Sequence, residues 1–280
     1  MPEIIVKPSN LKELWKLLPG LPSARRYLAG GTDIVTADNA GAEKSECWID
    51  ISSLPELRFI KETSSSMFIG AGVKLSEVQA AAAARRWCPV LTAAIPHFAS
   101  PSLRNMATLG GNAANASPCA DGASSLIAEG AYVLLSLKGR KRRLPLKELF
   151  LGPKRTALKQ DELILGFEIP KKAHLGAYLK LGPRSYFGIS KAAVAVAAEF
   201  SRGTFGKVTV ALGSVAPVPL YAAKTSAYLA GKTLSTEVVQ KACELVKAEA
   251  APITDARSEA AYRREMCGVL LERALNSFQS

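Results

Sequence analysis

The apolar residues of the first 55 positions follow two different periods. Three short runs rich in β-forming residues predict strands at residues 4–6, 25–29 and 48–52. Between the first two runs, apolar residues recur every three or four positions behind Ser9 or Asn10, either of which can cap a helix. These residues are Leu11, Leu14, Trp15 and Leu18. The segment therefore predicts the order strand, helix, strand, strand.

The middle of the chain combines a hairpin, helices and further strands. Two apolar runs flank the polar turn Thr63–Ser66 and predict a hairpin. Ser76 and the residues after it fit a capping box in front of an alanine-rich helix that reaches about Arg86. Further helices are predicted at 89–98 and 124–129, and further strands at 131–137, 142–146 and 163–170. Between them lies Ser100–Asp121, which is rich in glycine, asparagine, serine and proline and predicts a long functional loop.

The last third of the chain predicts strands first and helices afterwards. Pro170–Lys172 is the best candidate for a linker. A strand pair at 193–200 and 207–215, joined by Ser201–Gly206, precedes two amphipathic helices at about 236–249 and 259–276. Because no regular βαβ alternation occurs, the predicted fold class is α+β.

Composition and charge narrow the function classes only partly. The chain has 280 residues, of which 48% are hydrophobic and 21% charged, as in a globular protein. No apolar run is long enough to span a membrane, and the start lacks the features of a signal peptide, so we expect a cytoplasmic protein. The net charge of +12 would suit nucleic acid, but its densest cluster, Gly139–Arg143, is predicted to be a solvated hairpin turn without interleaved aromatics. An acidic protein partner or an anionic cofactor explains the basicity equally well.

Residues for metal binding or acid–base catalysis are scarce. The five cysteines contain no C-x-x-C pair, and the only histidines are His97 and His174. Neither a zinc or iron–sulfur site nor a Ser-His-Asp enzyme is therefore indicated. We predict no catalytic residue and no metal ligand in this chain.

Two glycine pairs are the strongest candidates for a binding site. The first, Gly30-Gly31, follows a predicted strand, and the second, Gly110-Gly111, lies in the long loop. Glycine pairs permit positive φ and a close approach of the backbone, so successive N–H groups can converge on phosphate oxygens. Alone, each pair is most simply explained as a tight turn. Together, they suit a pyrophosphate held from both sides.

The commoner nucleotide-binding motifs are missing. Gly70-Ala71-Gly72 begins a G-x-G pattern, but Leu75 stands where a dinucleotide-binding fingerprint has its third glycine. Gly231-Lys232-Thr233 imitates the end of a P-loop, yet the earlier glycine of that motif is replaced by Ser226. We interpret the latter segment as a helix-terminating turn.

Residues Ser100–Asn112, continuing through Ala116–Asp121, closely resemble the second flavin loop of the FAD-binding subunits of molybdenum hydroxylases, the family of xanthine dehydrogenase, carbon monoxide dehydrogenase and aldehyde oxidase. Tyr27–Ile34 resembles the first flavin loop of the same family. Further similar segments follow in the same order at Asp161–Pro170, Lys180–Arg184 and Ala261–Arg264. The resemblance thus spans nearly the whole chain.

This resemblance implies an FAD-binding domain of the type shared with p-cresol methylhydroxylase (PCMH-type). The domain would cover residues 1–172, as two α+β subdomains of about 1–55 and 56–172. A smaller C-terminal α+β domain of the flavin-subunit type would cover 173–280. The branch of the family with a cysteine-rich insertion for an additional iron–sulfur cluster is disfavoured, because the chain has no such insertion.

The resemblance also implies which residues contact FAD. The first flavin loop would wrap the pyrophosphate and the ribityl chain through Tyr27, Leu28, Ala29, Gly30, Gly31, Thr32, Asp33 and Ile34. The second segment would close on it through Phe98, Ala99, Leu103, Ala107, Thr108, Gly110, Gly111, Asn112, Asn115 and Asp121. Ile164 and Lys180 match positions near the isoalloxazine ring. Lys180 could stabilise negative charge on the ring if it points inward, or it could be a surface lysine on a strand. The segment Tyr186–Ile189 matches a region in which some relatives have a ring-shielding tyrosine.

The implied function is electron transfer through FAD within a larger oxidoreductase. A large subunit with molybdopterin would oxidise the substrate, and a small subunit with [2Fe–2S] clusters would pass electrons to FAD. NAD, oxygen or a quinone would accept them, and the complex would contain each of the three subunits twice. Two alternatives stay open: a self-contained PCMH-fold flavin oxidoreductase and a non-enzymatic basic module that binds nucleic acid.

Overall fold

The structure is a computed structural model that describes residues 2–42, 44–184 and 188–279. Its first sheet is parallel, in the order β1-β3-β2, from β1 (Ile4–Val6), β2 (Arg25–Leu28) and β3 (Cys47–Asp50). Helices α1 (Leu11–Leu17) and α2 (Ile34–Asn39) connect these strands. The Asn10 side chain accepts a hydrogen bond from the Glu13 N–H and caps α1, as predicted. The three strands and α1 follow the predicted order, but α2 was not predicted, so this part of the chain alternates strands and helices where no βαβ alternation was expected.

The second sheet is antiparallel and has five strands in the order β4-β5-β10-β6-β7. Their bounds are β4 (Ile60–Glu62), β5 (Ser66–Gly70), β6 (Tyr132–Leu137), β7 (Arg140–Pro145) and β10 (Leu163–Pro170). The hairpin predicted around Thr63–Ser66 is formed by β4 and β5. The short hairpin of β8 (Phe150–Gly152) and β9 (Arg155–Thr156) was not predicted.

A hairpin turn forms where it was predicted, but it includes only the first residue of the basic segment Gly139–Arg143. Only Lys138 and Gly139 turn, both with positive φ, and the remaining residues belong to β7 at the edge of the sheet. Arg142 pairs with Glu162 at 2.6 Å and Arg143 with Glu168 at 2.8 Å. Charges along an edge strand oppose pairing with another chain. Two of the four basic residues are thus neutralised within the sheet.

Short helices cover one face of this sheet. They are α3 (Leu75–Ala80), α4 (Ala82–Trp87), α5 (Pro89–Ala94), α6 (Pro101–Arg104), α7 (Leu109–Ala114) and α8 (Asp121–Ala128). The predicted cap at Ser76 is wrong: the cap is Lys74, whose N–H donates to the Glu77 carboxylate at 2.9 Å. The predicted single helix also breaks at Ala81, which has an extended backbone. Residues 100–121 contain α6 and α7 and are therefore not the irregular loop that was predicted.

The third sheet is antiparallel, in the order β11-β12-β13-β14. It comprises β11 (Leu175–Leu181), β12 (Ala192–Ser201), β13 (Thr204–Gly213) and β14 (Leu220–Tyr221), followed by α9 (Ala223–Leu229), α10 (Thr236–Glu249) and α11 (Ala260–Asn276). Successive side chains of β12 face opposite sides, as strand geometry requires. Val194 and Val196 pack in the core under α10 and α11, whereas Ala193 and Ala195 pack in the core around α5 and α8. The helices before and after the sheet thus cover its two faces.

Two hydrophobic clusters join the three sheets. A large one packs the second sheet against the third, and a small one packs the first sheet against the second. A small cluster around Leu14, Ile49 and Leu57 lies under the first sheet and includes Leu163 from β10. Arg25 on β2 makes a bidentate ion pair with Asp161, at 2.8 and 2.6 Å, and so joins the first sheet to the start of β10. In the described part of the chain, no helix is long and apolar enough to cross a membrane.

Candidate functional site

The two glycine pairs lie on segments that touch each other. A Cβ atom on Gly30 would come within 2.1 Å of the Met106 carbonyl oxygen, immediately before the second glycine-containing segment. A Cβ atom on Gly110 would come within 2.5 Å of the Ala71 Cβ atom. Real side chains do not tolerate such distances, so glycine is needed at both positions for the backbones to approach. The two glycine pairs therefore lie where three segments pack together, namely those around Gly30, Ala71 and Gly110.

The first glycine pair leaves a run of backbone donors without acceptors. Gly31 has a φ of +72°, a conformation that side chains disfavour, and it turns the chain from β2 toward α2. Within the described residues, none of the amides of residues 30–34 donates a hydrogen bond to another group of the chain. Successive N–H groups of this kind form a concave donor surface suited to phosphate oxygens.

The second glycine pair does not present such a surface, contrary to the expectation that both would. The Leu109 amide donates to the Val73 carbonyl at 3.1 Å and the Gly110 amide to the Ala71 carbonyl at 2.9 Å. The Gly111 amide donates to the Thr108 hydroxyl at 3.0 Å, because Thr108 caps α7. The second pair therefore fixes the close packing of α7, and only the first pair leaves its amides unpaired in the described residues.

Asn112 has a polar atom that the chain does not satisfy. Its Oδ1 atom is buried and has no hydrogen-bond partner. A Cβ atom on Gly122 would come within 2.7 Å of it, so only glycine leaves room for this side chain. Buried polar atoms without a partner are rare and point to an external ligand or water. Asn112 thus fits a position beside a polar ligand.

A cavity of about 510 Å³ opens next to these segments, within the size range of small-molecule sites. Six of the predicted contact residues line it, namely Phe98, Ala99, Asn112, Asn115, Asp121 and Lys180. The opposite wall comes from the C-terminal part of the chain, with Ser214, Pro217, Ile253, Asp255, Arg257 and Arg263 among its residues. The cavity therefore lies between the segment 98–121 and the third sheet with its helices.

Lys180 points into the cavity, so the alternative of a surface lysine is wrong. Its side chain is only 9% exposed, and its ammonium donates to Asp121 Oδ2 at 2.6 Å and to the His97 carbonyl at 3.0 Å. The Tyr178 hydroxyl donates to the other Asp121 oxygen at 2.5 Å. Burial raises the pKa of Asp121 above its ordinary value, although Lys180 and Tyr178 act in the opposite direction. Burial also raises the pKa of Tyr178, so this hydroxyl stays a donor.

Other predicted contact residues lie away from the cavity wall. The Tyr27 side chain packs against the core of the first sheet, and its hydroxyl donates to the Asp161 carbonyl at 2.9 Å. Ile164 is buried in the core of the second sheet. Leu103 is 41% exposed on α6, whereas Ala107 is buried beside Gly30. Tyr186 lies outside the described residues.

Lys154 is a site residue that the sequence reasoning missed. It lies at the tip of the β8–β9 hairpin, and its ammonium contacts Asp33 Oδ2 at 3.0 Å and Asn115 Oδ1. It thereby joins the first glycine segment to the second. Four residues next to the glycine pairs or the cavity have positive φ although they are not glycine. They are Ala99, Ala116, Lys154 and Ser214. Such strained conformations gather at functional sites, but no local sequence signal marks them.

The wall of the cavity formed by α11 was also missed as part of the site. Arg263 is buried, pairs with Asp255, and donates to the Ser214 carbonyl at 3.4 Å. Its Nε atom is buried without a partner. Arg257 pairs with the same Asp255 at 3.0 Å. The signal available in the sequence was the segment Ala261–Arg264, noted only as a similarity.

Comparison with known proteins gives consistent matches. The sequence profile of the family described as "FAD binding domain in molybdopterin dehydrogenase" matches residues 2–172, and that of "CO dehydrogenase flavoprotein C-terminal domain" matches residues 177–278. The carbon monoxide dehydrogenase medium chain of Hydrogenophaga pseudoflava is 32% identical over 272 residues, covering 96% of this chain and 94% of that one. The xanthine dehydrogenase FAD-binding subunit of Escherichia coli O157:H7 is 26% identical over 96% of this chain and 93% of its own length. A solved structure of the Hydrogenophaga pseudoflava carbon monoxide dehydrogenase superposes with a TM-score of 0.94, covering 99% of this chain and 96% of that chain.

Proposed function

This chain belongs to the family of FAD-binding subunits of molybdopterin dehydrogenases, and we propose that it binds FAD between its two glycine segments and relays electrons within a multi-subunit hydroxylase. The chain is an oxidoreductase flavoprotein subunit by family. The contact residues, the partners and the final electron acceptor belong to the proposal. We further propose domains of 1–172, with subdomains of about 1–55 and 56–172, and 173–280, which agree closely with the two matched profiles.

The observation that carries the proposal is the set of unpaired amides at residues 30–34. FAD contains a diphosphate, and a row of backbone N–H groups on a glycine turn is a common way to bind one. Gly30 and Gly31 supply the close approach and the positive φ that the turn requires. The unpartnered Oδ1 atom of Asn112 offers an acceptor on the facing segment, suited to a hydroxyl group of the cofactor and not to its phosphates. The residues present therefore fit the cofactor.

The cavity is suited to the ring end of the cofactor. Bound there, FAD would supply the redox chemistry, and the residues of this chain would position it and exclude water. Phe98 and Ala99 provide apolar surface, and Lys180 provides a donor held in place by Asp121. No acid or base of this chain is required for electron transfer.

The proposed partners rest on two relatives that are named as one subunit of a larger enzyme, the carbon monoxide dehydrogenase medium chain and the xanthine dehydrogenase FAD-binding subunit. We propose a molybdopterin-binding large subunit and a [2Fe–2S] small subunit, in a complex that contains each subunit twice. The acceptor would be NAD, oxygen or a quinone, and the complex would work in the cytoplasm. For the two alternatives, a self-contained flavin oxidoreductase and a nucleic-acid-binding module, no contact in the described residues favours either: His97 is exposed, and half of the basic β7 segment is paired with glutamates.

Hydrogen–deuterium exchange of the purified chain tests the proposal directly. The peptide containing residues 30–34 should exchange quickly without FAD and slowly with it, because its amides gain acceptors. The peptide containing residues 109–112 is the internal control, since its amides already donate within the chain. Unchanged exchange at 30–34, with flavin retained in the visible spectrum, would place the diphosphate elsewhere. Absence of retained flavin, both alone and after co-expression with the partner subunits, would contradict the proposal as a whole.

A pair of glycine variants separates binding from stability. Gly31→Ala should weaken FAD binding about tenfold, because an L-residue resists a φ of +72° and the adjoining amides would shift. Gly41→Ala is the matched control: Gly41 has a φ of +69° and open space around it, at the other end of α2. Both variants should lose similar stability, but only Gly31→Ala should lose affinity in a flavin-fluorescence titration. Equal affinities would argue against the first segment as the phosphate site.

A further inference from the structure

We infer that Lys154 is a positioning residue of the cofactor site, whose ammonium neutralises Asp33 so that an anionic diphosphate can bind beside it. This inference rests on the proposed function, because it assumes that the diphosphate binds at the amides of residues 30–34. It adds to that function a residue from a hairpin outside both glycine segments. The ligand class concerned is a dinucleotide diphosphate.

Asp33 poses an electrostatic difficulty for the proposed site. It is part of the run of unpaired amides, and its carboxylate is 54% exposed. Its side chain makes no capping hydrogen bond to α2, so it has no evident role in that helix. A carboxylate next to a dianionic diphosphate repels it, and like charges in one site disfavour each other. The site therefore needs a cation close to Asp33.

Lys154 supplies that cation from a fixed position. Its Nζ atom lies 3.0 Å from Asp33 Oδ2 and also contacts Asn115 Oδ1. Its own amide donates to the Ala116 carbonyl at 2.9 Å, and its φ of +59° turns the side chain at the hairpin tip. The buried Phe150 packs in the core of the second sheet and so fixes the position of the hairpin. The lysine is thus held against both segments by backbone and side-chain contacts.

Lys154 has a positive φ at the tip of its hairpin, as Lys138 and Arg202 do at two other hairpin turns. Asparagine or glycine would fit positive φ better than lysine. The conformation therefore does not distinguish Lys154 from these two residues, but its contacts with Asp33 and Asn115 do. Neighbouring Pro153 lines the cavity, so the hairpin tip also lies at the cavity edge.

The test is a double-mutant cycle on FAD affinity, measured by flavin-fluorescence titration of the full chain. Lys154→Met should raise the Kd for FAD about fivefold, near the upper limit for one exposed ion pair. Asp33→Asn should lower the Kd by about twofold or more, because it removes the negative charge that repels the diphosphate and leaves the ammonium in place. The double variant should bind FAD about as tightly as the wild type, because it removes one charge of each sign beside the diphosphate. Arg155→Met, at a residue that is on the same hairpin and is also exposed, removes one positive charge without this contact and should leave the Kd unchanged.

Each other outcome overturns a definite part of the inference. If Lys154→Met and Arg155→Met weaken binding equally, the effect is one of general charge and not of the Asp33 contact. If the double variant binds as weakly as Lys154→Met, the lysine merely holds the hairpin in place. If the wild type binds FAD with protection of amides 30–34 but Lys154→Met is unaffected, only the inference fails. If the wild type retains no FAD even with its partner subunits, the proposed function fails first.

Discussion

Three side chains beside the cavity, Asp121, Lys180 and Tyr178, form one hydrogen-bonded unit. Asp121 is buried and accepts from both Lys180 and Tyr178. Because the carboxylate compensates the ammonium, Lys180 presents a hydrogen-bond donor whose positive charge is largely balanced. A ligand in the cavity would meet a neutral pair in place of an isolated cation. The orientation of this donor depends on Asp121.

Removing one partner of this pair should be costly. We expect Asp121→Asn to lower the free energy of unfolding by about 3 kcal/mol, because Lys180 would stay buried without its counter-charge. The double variant Asp121→Asn/Lys180→Met should recover at least half of this loss. Urea denaturation of both variants and the wild type measures the difference. If the double variant were as unstable as the single one, the cost would come from the Tyr178 contact and not from the buried charge.

At the scale of single elements, α7 depends on one glycine and not on its neighbour. Gly110 faces Ala71 so closely that a Cβ atom would also lie 2.8 Å from the Ala71 carbonyl oxygen. Gly111 is exposed, and the nearest atom to its Cβ position is the Thr108 hydroxyl at 3.0 Å. The second glycine pair therefore combines a packing residue and a residue with little packing role.

This difference predicts a large loss of stability for one glycine-to-alanine substitution and little change for the other. Glycine to alanine within a helix normally stabilises by about 1 kcal/mol. Gly110→Ala should instead destabilise by about 2 kcal/mol, because α7 would have to move away from Ala71. Gly111→Ala should change stability by less than about 1 kcal/mol. Thermal or urea unfolding of the two variants decides, and similar values for both would contradict the close contact.

The elements that the sequence predicted well are those with enough length to show a period. Helices α10 and α11 and the pair β12–β13 follow the predicted bounds closely, because each repeats its apolar pattern several times. Helices α6 and α7 were missed because they are too short to show a period. Their caps were nevertheless visible: Ser100 stands before Pro101, and Thr108 accepts from the Gly111 amide.

Without the family resemblance, the sequence predicted the site only where the backbone demands a specific residue. Glycine at positions 30 and 110 is required locally, and these positions stood out in the sequence. The role of Lys154 depends on where a three-dimensional contact places a two-strand hairpin, and no local pattern encodes that. The α11 wall of the cavity was missed for the same reason.

At the scale of the whole molecule, a buried polar contact joins three segments across the boundary between the second and third sheets. The Glu129 carboxylate, at the end of α8, accepts from the Val90 amide at 2.7 Å and contacts His174 Nε2 at 2.7 Å. His174 lies between β10 and β11, and its Nδ1 atom is 2.8 Å from the Lys172 carbonyl oxygen. Both ring nitrogens thus face acceptors, which suits a protonated imidazole that donates to each.

This contact makes the stability of the chain depend on pH. Burial works to lower the pKa of His174, but the Glu129 carboxylate, with smaller help from the Lys172 carbonyl and Glu199, raises it above its ordinary value. A folded-state pKa above the unfolded one means that the stabilisation is fully present below about pH 6.5 and is lost as the pH rises through the higher folded-state value. Burial raises the pKa of Glu129 as well, and its contribution changes in the same direction. Stability should therefore fall between mildly acidic and mildly alkaline pH.

Urea denaturation at several pH values tests this against a matched histidine variant. In His174→Gln, the decline in unfolding free energy above about pH 6.5 should be absent, and stability at acidic pH should fall to the wild-type level seen at alkaline pH. His97→Gln removes the only other histidine, keeps the backbone carbonyl that Lys180 contacts, and should preserve the wild-type decline. A decline that persists in His174→Gln and disappears in His97→Gln would contradict its assignment to His174. Glu129 connects α5 and α8 to the segment between β10 and β11. The pH at which the decline occurs would therefore report on the contact between the second and third sheets.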